Sequence, residues 1–230
     1  MTFVTSSPRR RLAAVALLAL VVVVAAVLIS QPGGGPDATA AAPVSRFDGI
    51  PQDGIALGSP KAKAVLVEFA DLQCPFCAVY ARDVLPAVVD RYVRSGRLRL
   101  ELHTLTFLGE DSVRAGSMAA AAAQQDRLWP FVDAFYRSQG TENSGYVTDD
   151  FLRGIAEATP GLDVDRAFDD RSGAKAMETL TKAERAAGSA GADHTPAFYL
   201  RRGDGVARAA EPEALTAEAF TAALDKALAR

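Results

Sequence analysis

The feature that most constrains the fold of this chain is a pair of cysteines between an apolar run and a helical pattern. Cys74 and Cys77 lie in the segment Cys-Pro-Phe-Cys, just after residues 65–70, which are β-prone and apolar on both faces except for Glu68. Such a run is typical of a central strand covered by helices on both sides. The residues that follow are apolar at helical spacing, at Ala81, Leu85, Val88, Val89 and Tyr92. The sequence therefore predicts a strand, a turn and a helix with the cysteines at its start.

A position at a helix start changes the chemistry of a thiol. Cys74 would face unpaired backbone N–H groups and the positive end of the helix dipole, and both favour the thiolate. A lower pKa also makes Cys74 the better leaving group. Pro75 suits the first helical turn, because no backbone N–H partner is lost there. Cys77, one turn further in, is predicted to be shielded and less acidic.

Two other roles for the cysteine pair fit its setting less well. A purely structural disulfide would close a loop of four residues and add little stability through chain entropy. Zinc binding would need His103 or His194 and further ligands, since the chain has two cysteines and two histidines. The pattern therefore favours a redox pair, and it predicts neither a cofactor nor a metal site.

The chain around the cysteines predicts an α/β domain. Residues 98–102 alternate between apolar and charged, which indicates a second strand and completes a β-α-β unit of the kind found in parallel sheets. Pro86 is expected to kink the intervening helix, because its ring clashes with the carbonyl four residues earlier. Gly96 is expected to close that helix.

A helical insertion is predicted at about residues 111–191. The helical patterns within it cover residues 112–127, 130–138, 149–159 and 172–187. Residues 197–200 and 206–209 then form a predicted hairpin across a Gly-Asp-Gly turn, and a last helix covers residues 217–228. Trp129 and its neighbours Phe131 and Phe135 are expected in the core.

The N-terminal segment predicts a membrane anchor. Residues 12–29 are uncharged and apolar throughout, and as a helix they would span roughly 27 Å, close to the thickness of a bilayer core. Signal peptides usually have shorter apolar regions followed closely by a small-residue cleavage site, whereas the best such site here, at residues 40–42, lies well downstream. We therefore expect a transmembrane anchor in preference to a cleaved signal sequence.

Charge predicts the orientation of that anchor. Arg9, Arg10 and Arg11 precede the apolar run, so residues 1–11 are expected in the cytoplasm and the chain after Ser30 outside it. Residues 30–51, rich in Pro, Gly and Ala, predict a flexible linker before a domain at 52–230. Beyond the three arginines the chain has 22 basic against 28 acidic residues, a balance that argues against a nucleic-acid partner.

Three motifs carry a resemblance to a known family. They are Val-Leu-Val-Glu-Phe-Ala-Asp-Leu-Gln-Cys-Pro-Phe-Cys, the inserted helices around residues 124–129, and His-Thr-Pro-Ala-Phe at 194–198. In this order they resemble the DsbA-like branch of the thioredoxin-fold thiol-disulfide oxidoreductases, over roughly residues 58–228. The resemblance implies an α/β thioredoxin fold with an inserted helical subdomain, here preceded by one N-terminal transmembrane helix.

Residues outside the cysteine pair also have expected roles, and that of the Thr-Pro site is implied by the resemblance. The Thr195–Pro196 bond is expected to be cis, and the Thr195 backbone to lie beside Cys74, where it can pair with an extended substrate strand. Glu68, six positions before Cys74, is expected to exchange protons with Cys77 through water, because burial raises a carboxyl pKa. The alternative for Glu68 is a carboxylate that is merely satisfied by hydrogen bonds. His194 adjoins the Thr-Pro site and could contact the thiolate or have no role, and His103 is assigned none.

Phe76 departs from the family pattern, because strongly oxidising members carry His at this position of the motif. Without that cation, stabilisation of the thiolate depends on the helix terminus and the backbone. The function predicted is disulfide donation to exported cysteine-containing proteins, with Cys74 and Cys77 as the redox-active disulfide. A reductase or isomerase of the same fold, and a non-enzymatic binding module such as a metal chaperone, remain open. The family further implies a quinone-linked membrane partner of the DsbB or VKOR type for reoxidation.

Overall fold

The protein is described here from a computed structural model, which describes residues 45–210 and 212–229. The predicted cytoplasmic residues 1–11, the predicted anchor at 12–29 and the first part of the predicted linker lie outside the described residues. Within the described part of the chain, no helix combines the length and the apolar character that crossing a membrane requires.

Six strands of the described residues form one mixed sheet in the order β1-β2-β4-β3-β5-β6. The central strand β3 pairs in parallel with β4 and antiparallel with β5. The strands are β1 Gln52–Asp53, β2 Ala56–Leu57, β3 Ala64–Asp71, β4 Leu98–Leu105, β5 Ala197–Arg202 and β6 Arg208–Ala209. The predicted β-α-β unit and late hairpin are therefore present. The short hairpin of β1 and β2 extends the sheet beyond β4. Its strands have two residues each, which is too short to give a clear sequence signal.

The two faces of β3 carry different layers of the domain. Alternation along the strand puts Leu66, Glu68 and Ala70 on one face, and Leu66 and Ala70 belong to the main core with both cysteines. Val67 and Phe69 occupy the other face and pack against alanines of a helix of the insertion. Covering both faces with helices explains why the strand is apolar on both sides.

The helix that starts at the cysteines is interrupted by wider turns. It begins as α1 Pro75–Val79, continues through a π-helical turn at Tyr80–Val84, becomes α2 Leu85–Val88, and ends in a second π-helical turn at Val89–Val93. The first wide turn ends at Val84, two residues before Pro86, which has no N–H to donate to the carbonyl four residues back. The helix is therefore irregular beside the proline at which the sequence predicts a kink, and Gly96 follows the helix with a positive φ of 71°.

The insertion between β4 and β5 is helical, as the sequence predicts. Its helices are α3 Glu110–Ala123, α4 Leu128–Arg137, α5 Asp149–Glu157, α6 Val164–Asp170 and α7 Ala174–Ala190. The sequence missed α6, a seven-residue helix with a single fully buried side chain, that of Ala167. The last helix, α8 Ala217–Leu228, has the predicted bounds and packs Phe220 and Leu224 into the main core.

Residues 45–51 differ from the flexible linker that the sequence predicts there. Phe47 and Ile50 are buried, and the Phe47 ring lies 6.3 Å from that of Trp129. Arg46 forms an ion pair with Asp133 at 3.0 Å. These contacts hold the end of the predicted linker against α4. The composition of the segment does not indicate them. Trp129 itself is buried, as expected, and its indole N–H donates to the Ile55 carbonyl at 3.1 Å.

Candidate active site

Cys74 occupies the position immediately before the first turn of α1. Its backbone is extended, with φ −68° and ψ 120°, and Pro75 follows at the first helical position. This arrangement leaves the amide groups of the first turn free to face the sulfur. The Cys74 thiol lies 3.3 Å from the carbonyl oxygen of Thr195, to which it can donate. The structure therefore brings together the two motifs that lie 121 residues apart in the chain.

The surroundings of Cys74 favour its thiolate. A hydrogen bond from the Cys77 side chain, followed by one from the side chain of Thr195 and those from the backbone amides of Cys77 and Phe76, lowers the pKa of Cys74 from 9.0 to about 6 despite its burial. The Thr195 carbonyl acts in the opposite direction, because it can accept only from the protonated thiol. The donors outnumber it, so the thiolate is the stable form at neutral pH.

Cys77 has the opposite environment one turn further along. Its side chain has no solvent exposure. Burial, the hydrogen bond to Cys74 and the negative charges of Cys74 and Glu68 raise the pKa of the Cys77 thiol well above 9.0. The structure holds both cysteines as free thiols. The pair therefore consists of one thiolate at the helix start and one buried thiol beneath it.

Glu68 lies on the β3 face that packs against the cysteine helix. It is 4% exposed, and its cross-strand neighbours are Leu102 on β4 and Phe198 on β5, both apolar. Burial, and secondarily the charge of Cys74, raise the pKa of Glu68 from 4.5 to about 8. The carboxyl is therefore protonated in much of the neutral range, which is the state from which it can donate a proton.

The Thr195–Pro196 peptide bond is cis, as the resemblance implies. It borders a surface groove beside the start of α1, and side chains from three segments of the chain line this groove. They include Phe76, His194, Thr195, Pro196, Pro212 and Leu215. Phe76 is 64% exposed, so the residue between the two cysteines points an aromatic ring into solvent at the mouth of the site.

The two histidines do not join the cysteine pair through any hydrogen bond in the described part of the chain. The Nδ1 atom of His194 lies 2.8 Å from a carboxylate oxygen of the exposed Asp193. His103, inside β4 and not at its end, packs its ring 5.2 Å from that of Phe69, on the sheet face opposite Glu68. The observed partners of the two histidines are therefore Asp193 and Phe69, and not the sulfur atoms of the cysteine pair.

Asp71 is a structural centre of the site that sequence reasoning missed. Its side chain is fully buried and accepts hydrogen bonds from the backbone N–H groups of Gln73, Phe107 and Leu108, at 2.8–3.2 Å, and from the Ser112 hydroxyl. The carboxylate thus joins the end of β3 to the loop after β4 and to α3. The sequence signal that could have identified Asp71 is an acidic residue at the end of a buried strand, three residues before Cys74.

Side-chain amides connect the insertion to the loop that carries Cys74. Gln139, just after α4, donates to the carbonyl oxygens of Leu72 at 2.7 Å and of Cys74 at 3.2 Å. The buried Gln73 donates to the Tyr146 hydroxyl at 2.9 Å and accepts from the backbone of Asn143 at 3.0 Å. The helical insertion therefore fixes the backbone from which Cys74 projects. The long sequence separation of these partners kept them out of any local pattern.

Comparison with known proteins agrees with this geometry. The family model described as thioredoxin matches residues 51–226. A probable disulfide bond formation protein D of Bacillus cereus is 29% identical over 147 residues, which is 63% of this chain and 68% of that protein. The disulfide bond formation protein D of Bacillus subtilis is 27% identical over 109 residues, 45% of this chain and 47% of that protein.

Solved structures share the fold over most of the chain. The oxidised form of BdbD from Bacillus subtilis has a TM-score of 0.66 and 18% identity, covering 82% of this chain and 97% of that one. The α-DsbA1 protein of Wolbachia pipientis has a TM-score of 0.64 and 20% identity, covering 81% and 96%. The match of the family model shows that the chain belongs to the thioredoxin family, and the solved structures show that it shares the fold of BdbD and α-DsbA1 over most of its length.

Proposed function

We propose that this chain is an extracytoplasmic disulfide donor that works through Cys74 and Cys77 as its redox-active disulfide. The observation that carries the proposal is the unequal placement of the two thiols: Cys74 stands at the helix start among hydrogen-bond donors, with its pKa lowered to about 6, and Cys77 is fully buried, with its pKa raised. A stable Cys74 thiolate favours the reduced enzyme, and a catalyst whose reduced form is stabilised tends to donate its disulfide.

In the first step a substrate thiolate attacks the Cys74 sulfur of the oxidised enzyme. A substrate–Cys74 disulfide forms, the Cys74–Cys77 bond breaks, and its electron pair leaves with the Cys77 sulfur. The buried Cys77 thiolate takes a proton from Glu68, whose raised pKa of about 8 keeps that proton available at neutral pH. The residues that create this asymmetry are Pro75, which lets the helix begin at Cys74, and Phe76, whose amide faces the sulfur.

In the second step the second thiolate of the substrate attacks the substrate sulfur that is bonded to Cys74 in the mixed disulfide. The substrate leaves with a disulfide, and Cys74 departs as the thiolate that its surroundings stabilise. The enzyme has gained two electrons, and Cys77 holds the proton received from Glu68. Thr195 and Pro196 border the groove in which an extended substrate segment would lie, and the Thr195 carbonyl beside Cys74 offers a backbone acceptor for it.

The proposed location rests on the N-terminal sequence. The apolar residues 12–29 would anchor the chain as a single span, and the arginines before them would keep residues 1–11 in the cytoplasm. A reporter enzyme joined after residue 60 tests this. We expect activity from a reporter that works only outside the cytoplasm and retention of the fusion in the membrane fraction. Activity confined to a cytoplasmic reporter would overturn both the location and the oxidative role.

The partners proposed follow from the direction of exchange. Exported proteins with paired cysteines would be the substrates, and a quinone-linked membrane oxidase would restore the Cys74–Cys77 disulfide. The described residues contain no other cysteine that could pass the two electrons on within the same chain. The reduced enzyme therefore depends on an external acceptor.

The equilibrium reduction potential of the Cys74–Cys77 pair tests the direction. We expect a value between about −120 mV and about −230 mV, milder than the strongest oxidants because Phe76 adds no positive charge next to the thiolate. Equilibration with glutathione redox buffers measures it. A value near the roughly −270 mV of thioredoxin would favour a reductase, and a Cys74 pKa near that of a free thiol would favour a binding module.

A further inference from the structure

One buried polar atom beneath the active site has no hydrogen-bond partner among the described residues. This atom is the hydroxyl oxygen of Tyr80, which lies in the first π-helical turn of the cysteine helix. The whole residue is 1% exposed. A hydroxyl buried without a partner destabilises the folded state, and phenylalanine would fill the same space without that cost. The position of this hydroxyl therefore calls for a role outside stability.

The Tyr80 ring lies within the apolar wall that surrounds Glu68. Its centroid is 4.5 Å from that of Phe198 and 5.1 Å from that of Phe220. Phe198 is the β5 residue directly opposite Glu68 in the sheet register. Glu68 and Tyr80 therefore approach the same aromatic side chain, one from the sheet and the other from the helix. The charge of Glu68 also contributes to raising the pKa of Tyr80 well above 10.0, as expected for neighbours in a dry site.

The other groups around Glu68 are either apolar or already committed. Leu102 on β4 and Phe198 on β5 offer no polar atom. From α1, Cys74 and Cys77 share a hydrogen bond. From α4, Tyr136 donates its hydroxyl to the Asp71 carbonyl at 3.2 Å. Among these residues, Tyr80 is the hydroxyl that remains free to donate to a carboxylate.

We propose that Tyr80 is a positioning residue for proton transfer, whose hydroxyl donates a hydrogen bond to Glu68, directly or through one water, once Glu68 has given its proton to Cys77. This inference rests on the proposed role of Glu68. The transfer itself moves one proton from the Glu68 carboxyl to the Cys77 sulfur and leaves a carboxylate in an apolar site. A donor held ready there stabilises the carboxylate when it forms. The hydroxyl costs stability in the resting enzyme and supplies its hydrogen bond during the reaction.

The substitution Tyr80→Phe separates this role from a structural one, because it removes only the hydroxyl. The charged form of Glu68 loses a donor, so its pKa should rise by about 0.5–1 unit. Oxidation of a dithiol peptide at pH 7 should slow by about threefold to tenfold, as for the loss of a modest contribution to proton transfer. The melting temperature should stay the same or rise, since a buried unpaired hydroxyl has been removed.

The experiment compares Tyr80→Phe with Tyr92→Phe in the full chain. Tyr92 is equally buried, but its hydroxyl lies 2.9 Å from both the Thr221 carbonyl and the Asp225 carboxylate, so its single proton has an acceptor away from the cysteines. Carboxyl ¹³C chemical shifts give the titration midpoint of Glu68, and stopped-flow kinetics across pH 5–9 give the rate profile. Tyr92→Phe should lower the melting temperature and leave the Glu68 midpoint and the rate profile unchanged.

Two results distinguish failure of this inference from failure of the proposed function. If Glu68→Gln slows exchange but Tyr80→Phe moves neither the Glu68 midpoint nor the rate profile, the role of Tyr80 is overturned. If Glu68→Gln leaves exchange unchanged, the proton-transfer role of Glu68 fails first and the role of Tyr80 fails with it. The double variant should be no slower than Glu68→Gln alone, because Tyr80 acts through the carboxyl.

Discussion

Cys74 and Cys77, at the outer and inner ends of the first turn of α1, lie three residues apart and have opposite chemistry. At the outer end, Cys74 faces backbone amides and the Thr195 side chain, and Phe76 extends into solvent. At the inner end, Cys77 has no exposure and its neighbours include the buried carboxyl of Glu68. Hydrogen-bond donors lower the pKa of the first thiol, whereas burial and negative charge raise that of the second.

The difference shows that one helical turn is enough to assign two roles to identical side chains. A thiolate that is stable at neutral pH is a good leaving group and an accessible target for exchange. A thiol with a raised pKa must receive a proton whenever its disulfide breaks, which requires an acid within the core. Each of the following changes alters the outer or the inner end of the turn and tests whether the difference between them carries the function.

The largest effect should come from Cys77→Ser. Cys74 would still attack a disulfide in a partner, but no second thiol would release the adduct, so mixed disulfides should accumulate and turnover should fall by about a thousandfold or more. Non-reducing electrophoresis followed by mass spectrometry locates the adduct. Cys74→Ser is the matched control and should form no adducts. Trapping through Cys77 in that control would reverse the roles assigned to the two cysteines.

The next largest effect should come from Phe76→His at the outer end. A protonated imidazole beside Cys74 would stabilise the thiolate further, so the pKa of Cys74 should fall below about 6 and the reduction potential should rise by about 30 mV for each tenfold change in equilibrium constant. Thiolate absorbance near 240 nm and glutathione equilibration measure the two quantities. Because both depend on the same thiolate, a change in one without the other would contradict the electrostatic explanation.

Glu68→Gln tests the inner end and should slow exchange by about tenfold at neutral pH, because the leaving Cys77 thiolate loses its proton donor. The same change should stabilise the fold. With a folded pKa of about 8 against an ordinary 4.5, the folded chain binds more protons than the unfolded chain between these values, so wild-type stability falls as pH rises from about 4.5 to about 8.

Denaturant titrations across pH provide the measurement for Glu68→Gln. The variant should lose this pH dependence and gain on the order of 3 kcal/mol at pH 7, from the energy equivalent of a pKa shift. Glu101→Gln on β4, whose carboxylate is partly exposed and pairs with Arg201 at 3.2 Å, is the control and should keep the wild-type slope. Equal exchange rates for wild type and Glu68→Gln from pH 5 to pH 9 would instead support a carboxyl without a catalytic part.

The outer end of this turn could be predicted from the sequence more completely than the inner end. The strand, the Cys-Pro-Phe-Cys segment and the helical spacing after it are local patterns, and together they predict the position of Cys74. Gln139 and Tyr80 gave no such signal, and Asp71 gave only its position at the end of a buried strand. The contacts of Asp71 and Gln139 join residues tens of positions apart. The direction of the Tyr80 side chain depends on the π-helical turn in which it lies. A sequence pattern with 3.6 residues per turn does not predict the direction of a side chain in a wider turn.

The smallest effect should come from His194→Ala. His194 stands directly before Thr195 and lines the groove with Phe76, so the sequence left open a contact with the Cys74 thiolate. In the structure its ring is largely exposed and its Nδ1 atom pairs with Asp193, while the contacts that stabilise the thiolate come from Cys77, Thr195 and the backbone. Solvent and salt screen a charge in such a position. We therefore expect the pKa of Cys74 to move by less than about 0.3 unit, and the exchange rate to change less than about twofold at low and high ionic strength. A shift approaching that of Phe76→His would mean that His194 turns toward the sulfur, and the stabilisation assigned to the helix start would then have to be divided with it.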